Sequence, residues 1–252
     1  MTSRSLGVTG LVAAALLLSV SVYASEGVEW GYEGDVAPQA WGDLSPEFEV
    51  CARGVQQSPI NLGETAVAAD ITGAQIAWQS VPLGSIVNNG HTIQVNADTD
   101  GSSLAFGDTR YDLKQFHFHH GSEHTLDGEQ FPLEIHFVHA AESGDLAVIG
   151  VFVAEGEENP ALAAIFSAMP TEKGEASGDG GIDPNELLPA DIGFYRYKGS
   201  LTTPPCSQIV EWQVFAEPIQ ASAAQIEQFA KMYPNNFRPV QNADRRFVLR
   251  SF

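Results

Sequence analysis

The chain has 252 residues, 44% of them hydrophobic, with 32 acidic side chains against 12 basic ones and a net charge of −20. That length suits one sizeable core in a single large domain. So acidic a surface repels nucleic acid and anionic membranes, which excludes both as partners; it keeps the protein soluble and does not define a function.

Arg4 precedes an apolar run over 11–22, and Val22-Tyr23-Ala24 follows with small residues suited to cleavage. This pattern predicts a secretory signal peptide over 1–24, because the run is short for a span of about 20 residues. The mature protein, 25–252, is then periplasmic or secreted, with no stable membrane association. Export allows the two cysteines, Cys51 and Cys206, to pair, with two free thiols as the alternative. Residues 25–63, rich in Gly, Pro and aromatics, read as an irregular segment anchored by Trp30, Tyr32 and Trp41.

Short strand-like runs divided by turn residues fill 75–153. The continuously apolar run 147–153 predicts a strand buried on both faces. Asn159 followed by Pro160 predicts a helix running through Phe166. Ser222 with Gln225 predicts a second, capped by a reciprocal box and ending near Met232. The Gly-rich, acidic stretch 170–191 reads as a surface excursion, after which 194–197 and 209–214 return to strand. The fold class is mainly β with a few short helices, in a single domain.

The chemistry centres on Gln115-Phe116-His117-Phe118-His119-His120. Side chains alternate along a strand, so His117 and His119 share one face while Phe116 and Phe118 point into the core. His136 lies in a second strand-like run, and the intervening Gly121, Asp127 and Gly128 allow an antiparallel return that sets it beside the pair. Three imidazoles with one open position form the pattern of a catalytic zinc site. Read alone, the same histidines also fit as packed core residues.

Six motifs decide between these readings. Gln57-Ser58-Pro59-Ile60-Asn61, Asn88-Asn89-Gly90-His91, Gln115-Phe116-His117-Phe118-His119, Gly121-Ser122-Glu123-His124-Thr125, Glu134-Ile135-His136-Phe137-Val138-His139 and Gly199-Ser200-Leu201-Thr202-Thr203-Pro204-Pro205-Cys206 stand in this order. Together they closely resemble the α-class carbonic anhydrases, over nearly all of the mature chain. The resemblance implies a large, twisted, mostly antiparallel central sheet. It also implies a Cys51–Cys206 disulfide of the exported bacterial type, and reversible hydration of CO2 to bicarbonate and a proton. Bacterial relatives include dimers, so a homodimer is left open.

By the same resemblance His117, His119 and His136 bind Zn2+, and a zinc-bound hydroxide attacks CO2. Thr202 orients that hydroxide and Glu123 accepts the Thr202 hydroxyl proton. Gln115, Glu134 and the carbonyl of Asn236 fix the three ligands. His91 is the proton shuttle, with Tyr32, Asn89 and Gln94 along its water path; Gln94 departs from the commonest family residue. Val138, Val148, Leu201 and Trp212 form the apolar substrate wall, and Thr203 lines the mouth. His124 joins a network with Glu134 and Tyr197, while His120 is read as a packing or rim residue and His139 as structural. A cupin-type metal site with Glu123 as a ligand, and a catalytically inactive zinc-binding domain, are the competing readings.

Overall fold

The twelve-residue strand Thr109–His120 is the spine of the protein in the computed structural model, which describes residues 27–63, 66–97, 101–177 and 179–251. The expected signal peptide over 1–24 lies outside the described residues. On one side the spine pairs antiparallel with Leu133–Ala140, on the other with Ile93–Asn96 and Ser103–Phe106. The main path of the sheet continues from Leu133–Ala140 through Leu146–Glu155, Val210–Phe215, Phe194–Gly199 and Leu249–Arg250 to Val67–Ala68. Most pairs are antiparallel. Leu146–Glu155 runs parallel to Val210–Phe215 and to Ile219–Ala221, and Leu249–Arg250 runs parallel to Val67–Ala68.

Strand periodicity divides the core between two faces. Ile135, Phe137, Ile149 and Val151 join Phe116 and Phe118 in one buried cluster, which the helices cover through Leu162, Phe166 and Phe229. Their neighbours Val138, Val148 and Phe152 join Tyr197, Trp212 and Val214 in a second cluster on the opposite face. The strand Leu146–Glu155 is therefore buried on both sides for most of its length, as its unbroken apolar run requires.

Both expected helices form. Asn159 Oδ1 accepts from the N–H groups of Ala161 and Leu162, and the helix Pro160–Ala168 follows. Ser222 and Gln225 make the reciprocal capping box of Ala223–Ala230, which ends at a Lys231 cap, short of Met232. The segment read as irregular holds short helices at Trp41–Leu44 and Glu49–Arg53, with 3-10 turns at Gly34–Val36 and Pro46–Phe48. Elements this short never repeat a 3.6-residue pattern, and only the Pro46–Phe48 turn has a start signal, Ser45 before Pro46. The 170–191 excursion is not wholly superficial: Ile182 and Leu187 are buried in the core. Cys51 and Cys206 are bridged, with Cα atoms 5.1 Å apart across 155 positions of chain. No helix among the described residues is long and apolar enough to cross a membrane.

Candidate active site

Antiparallel register sets His136 directly opposite His117, and Glu134 opposite His119. One nitrogen of each imidazole is already committed. His117 Nδ1 lies 2.8 Å from Gln115 Oε1, so its N–H donates to the amide oxygen. His119 Nδ1 donates to the carbonyl of Asn236 at 2.7 Å. His136 Nε2 donates to Glu134 Oε1 at 2.9 Å. These bonds fix the tautomers and leave three lone pairs: Nε2 of His117, Nε2 of His119 and Nδ1 of His136. The three side chains lie close enough to hold one metal ion. His119 Nε2 is buried with no hydrogen-bond partner, which a buried ring nitrogen rarely tolerates unless something else binds it.

A second group, His124, Glu134 and His136, is as compact but is closed on itself. His124 donates to both oxygens of Glu134, through Nδ1 at 2.7 Å and through its backbone N–H at 2.8 Å. His124 Nε2 meets the Tyr197 hydroxyl at 2.7 Å, and that hydroxyl meets Ser58 Oγ at 2.9 Å. The atoms that face one another there, His124 Nδ1, Glu134 Oε1 and His136 Nε2, are already hydrogen-bonded to each other, so this group is the support of the first. Gly150, opposite His136, leaves room for it, since a Cβ there would stand 3.0 Å from Glu134 Oε1.

Electrostatics agree with that division. Burial, with His119 and His136 close by, pushes the His117 imidazole well below its ordinary range, and burial also lowers His119. Neutral imidazoles are what metal binding needs. Burial opposes charge on His136 too, but Glu134 outweighs it and raises that imidazole. Burial likewise opposes charge on Glu134, yet His124 and His136 hold it well below the usual carboxylate range.

Glu123 is buried behind the cluster, with Oε2 3.5 Å from His119 Nε2 and 3.7 Å from His136 Nδ1. Its Oε1 accepts from the backbone N–H of Arg238 at 2.7 Å, whereas Oε2 has no hydrogen-bond partner. Thr202 is buried and its side chain faces the cleft; no hydrogen bond joins it to Glu123 in this structure.

The cleft has a volume of about 280 Å³. Its floor carries the three imidazoles and Gln115. Val138, Val148, Leu201 and Trp212 form an apolar side, and Thr202, Thr203, Pro204 and Pro205 form the loop above it. Tyr32, Asn89, His91 and Gln94 line the way out, and Asn89 Nδ2 lies 3.4 Å from Gln94 Oε1. The His91 ring stacks on Trp30, centroids 3.9 Å apart and planes within 4°. Burial, and then Lys173, lower the His91 imidazole below its ordinary value. Glu134, Glu123 and Asn236 stand behind this wall, where outer partners belong.

The remaining histidines pack. His120 Nδ1 accepts from the Asn235 N–H at 3.1 Å. His139 accepts from Trp78 Nε1 at 2.9 Å and donates to the Phe137 carbonyl, and burial drives its imidazole down to about 3. Sequence reasoning missed Arg238, Lys173 and the Trp30 stack as neighbours of the site. An arginine between Phe237 and Pro239 was the only sign of the first; nothing marked Lys173.

Three imidazoles with oriented free nitrogens, at the base of a cleft on a large mixed sheet, define a metalloenzyme-type site. The family model for eukaryotic-type carbonic anhydrase matches residues 36–252. A carbonic anhydrase from Nostoc sp. is 44% identical over 88% of this chain and 86% of its own. One from Pectobacterium carotovorum is 43% identical over 95% and 99%. Among solved structures, the α-carbonic anhydrase from Thermovibrio ammonificans, in complex with the inhibitor sulfanilamide, matches with TM-score 0.84 and 44% identity, covering 88% of this chain and 99% of that one. Dioscorin complexed with ascorbate matches at TM-score 0.81 and 30% identity, over 88% and 97%. The chain belongs to the α-class carbonic anhydrase family.

Proposed function

We propose that the protein catalyses the reversible hydration of CO2 to bicarbonate and a proton, with zinc held by His117, His119 and His136. The observation that carries this reading is the set of three unbonded nitrogens, each on a ring whose other nitrogen is tied to Gln115, Asn236 or Glu134. Bound there, zinc supplies a nucleophile at neutral pH by acidifying a water, a behaviour for which carbonic anhydrases are themselves the standard example.

The chain's own residues do the rest. CO2 is uncharged and apolar, so Val138, Val148, Leu201 and Trp212 offer it a surface that water does not contest. The Thr202 hydroxyl accepts a hydrogen bond from the attacking oxygen and turns a lone pair toward the substrate carbon. Glu123 Oε2, unpartnered in this structure, is the acceptor we assign to the Thr202 proton once that hydroxyl turns toward it, which would commit the hydroxyl to its acceptor role. Thr203 contacts bicarbonate at the mouth. His91 takes the released proton over waters held along Tyr32, Asn89 and Gln94; its ordinary pKa near 6.5 suits uptake and release at neutral pH, and burial shifts it lower.

We infer export to the periplasm or beyond. The 1–24 signal pattern supports it, and so does a disulfide, which persists in oxidising compartments. The amino-terminal residue of protein recovered from its source tests this: Ser25 is expected, and an intact Met1 end would contradict it.

Stopped-flow CO2 hydration by the mature protein tests the reaction. The expected result is a high rate at neutral pH, abolished by chelation and restored by zinc. A folded, fully zinc-loaded protein with no rate above buffer would overturn the enzymatic reading in favour of the inactive zinc-binding domain.

A further inference from the structure

Arg238 is 2% exposed, yet among the described residues its guanidinium hydrogen-bonds only to an amide oxygen and two backbone carbonyls. Nη1 donates to Gln57 Oε1 and to the Ser58 carbonyl, both at 2.8 Å, and Nη2 donates to the Cys51 carbonyl at 2.8 Å. All three acceptors belong to the amino-terminal segment that wraps the sheet. Burial lowers the guanidinium only to about 10, so it is charged at neutral pH, and its nearby counter-charge is Glu123. A buried cation of this kind is costly to hold unless its donors are satisfied.

The backbone just before this side chain touches the site in several places. The Asn236 carbonyl accepts from His119 Nδ1, and the Arg238 N–H donates to Glu123 Oε1. The Asn236 amide donates to the carbonyls of His91 and Phe118, both at 3.1 Å, and its Oδ1 accepts from the His120 N–H. Residues 236–238 have no helix or strand of their own. They form a strap that is shaped from outside.

Phe237 pins one side of that strap, with its ring so close to Gly121 that a Cβ there would stand 2.7 Å away. The guanidinium pins the other. Its anchor at Cys51 is bridged to Cys206, whose N–H donates to the Thr203 carbonyl at 2.9 Å. The same brace therefore joins the strap to the loop that carries Thr202 and Thr203.

We propose that Arg238 is a positioning residue. By clamping residues 236–238 to the amino-terminal segment, it holds the acceptor of His119 and the donor to Glu123 in place, and so sets zinc affinity from a point that touches neither metal nor substrate. This rests on the zinc site proposed above. Loss of an outer partner of a metal ligand typically costs roughly 10–100-fold in metal affinity. Arg238 acts through one such partner, the Asn236 carbonyl, and also holds Glu123 beside the cluster.

The test is zinc dissociation into excess chelator, measured well below the melting temperature, for wild type, Arg238→Met, Arg238→Lys and Gln57→Ala. Leu187→Ala, a core truncation remote from the cleft, controls for general destabilisation. Arg238→Met is expected to weaken zinc binding by about 10-fold or more. Arg238→Lys should weaken it less, and Gln57→Ala, which removes one of three acceptors, least. Leu187→Ala should lower the melting temperature and leave zinc affinity as it was. If Arg238→Met does not fold, the other two variants carry the test. Variants that hold zinc as tightly as wild type, or a control that loses it equally, would overturn the role of Arg238. Wild-type protein that binds no zinc would overturn the site reading itself.

Discussion

The site is assembled from two regions built on different physics. The sheet contributes His117, His119, His136, Gln115 and Glu134 from two adjacent strands, where register alone decides which side chains meet. The loops contribute His91, Glu123, Thr202, Asn236 and Arg238, which no ladder holds and which depend on individual hydrogen bonds and on one disulfide. Strands place a ligand with the stiffness of the whole sheet. Loops place a group only as well as their own anchors do. On the proposed reading the metal ligands come from the sheet, while the loops carry the groups of turnover and brace one ligand, His119, through the Asn236 carbonyl.

The largest effect that separates them is His119→Ala. It removes a sheet ligand and should abolish zinc binding at stoichiometric metal, a loss beyond the roughly 10–100-fold typical of outer partners. Equilibrium dialysis checks this, and tight zinc in the variant would break the ligand set. Thr202→Ala should do the opposite: zinc stays, while the hydration rate falls on the order of 100-fold, as expected when a reacting atom loses its orientation. An unchanged rate would take Thr202 out of the mechanism. His91→Ala should cost less and only at low buffer, with added imidazole restoring part of the rate. A loss independent of buffer would mean that His91 acts by packing on Trp30.

The effect smallest on activity is a pH dependence of stability. His139 is buried and neutral, with its imidazole lowered to about 3. Its unfolded value is about 6.5. Between these values the unfolded chain binds a proton that the folded chain refuses, so stability present above pH 6.5 is lost as pH falls, by at most about 1.4 kcal/mol per pH unit. His139→Gln keeps an acceptor for Trp78 and removes the titration. Its denaturation curves should flatten over that range, and an unchanged acid slope would contradict the assignment.

The same contrast governs what the sequence makes legible. Period-2 alternation put His117 and His119 on one face and Phe116 and Phe118 on the other, because a strand's geometry is local. The partner of His117, Gln115, came from the resemblance, and strand geometry added that it shares the His117 face. The helix caps at Asn159 and Ser222 were readable because a cap is local too. Glu123 and His91 carried no local signal, and only their motifs, taken together, pointed to them; Asn236 came from the family resemblance alone. Arg238 was illegible: its three acceptors lie 180 and more positions away, and no periodicity spans that distance. The short helices of the amino-terminal segment fell below the length at which a pattern repeats.

The central claim is that the metal sits on the sheet, on nitrogens that the outer partners leave free. A crystal structure of the zinc-loaded protein, with anomalous difference maps at the zinc edge, tests it most directly. The account predicts one ion on Nε2 of His117, Nε2 of His119 and Nδ1 of His136, with Glu123 outside its coordination. An ion bound by the Glu123 carboxylate, or one seated among His124, Glu134 and His136, would contradict it.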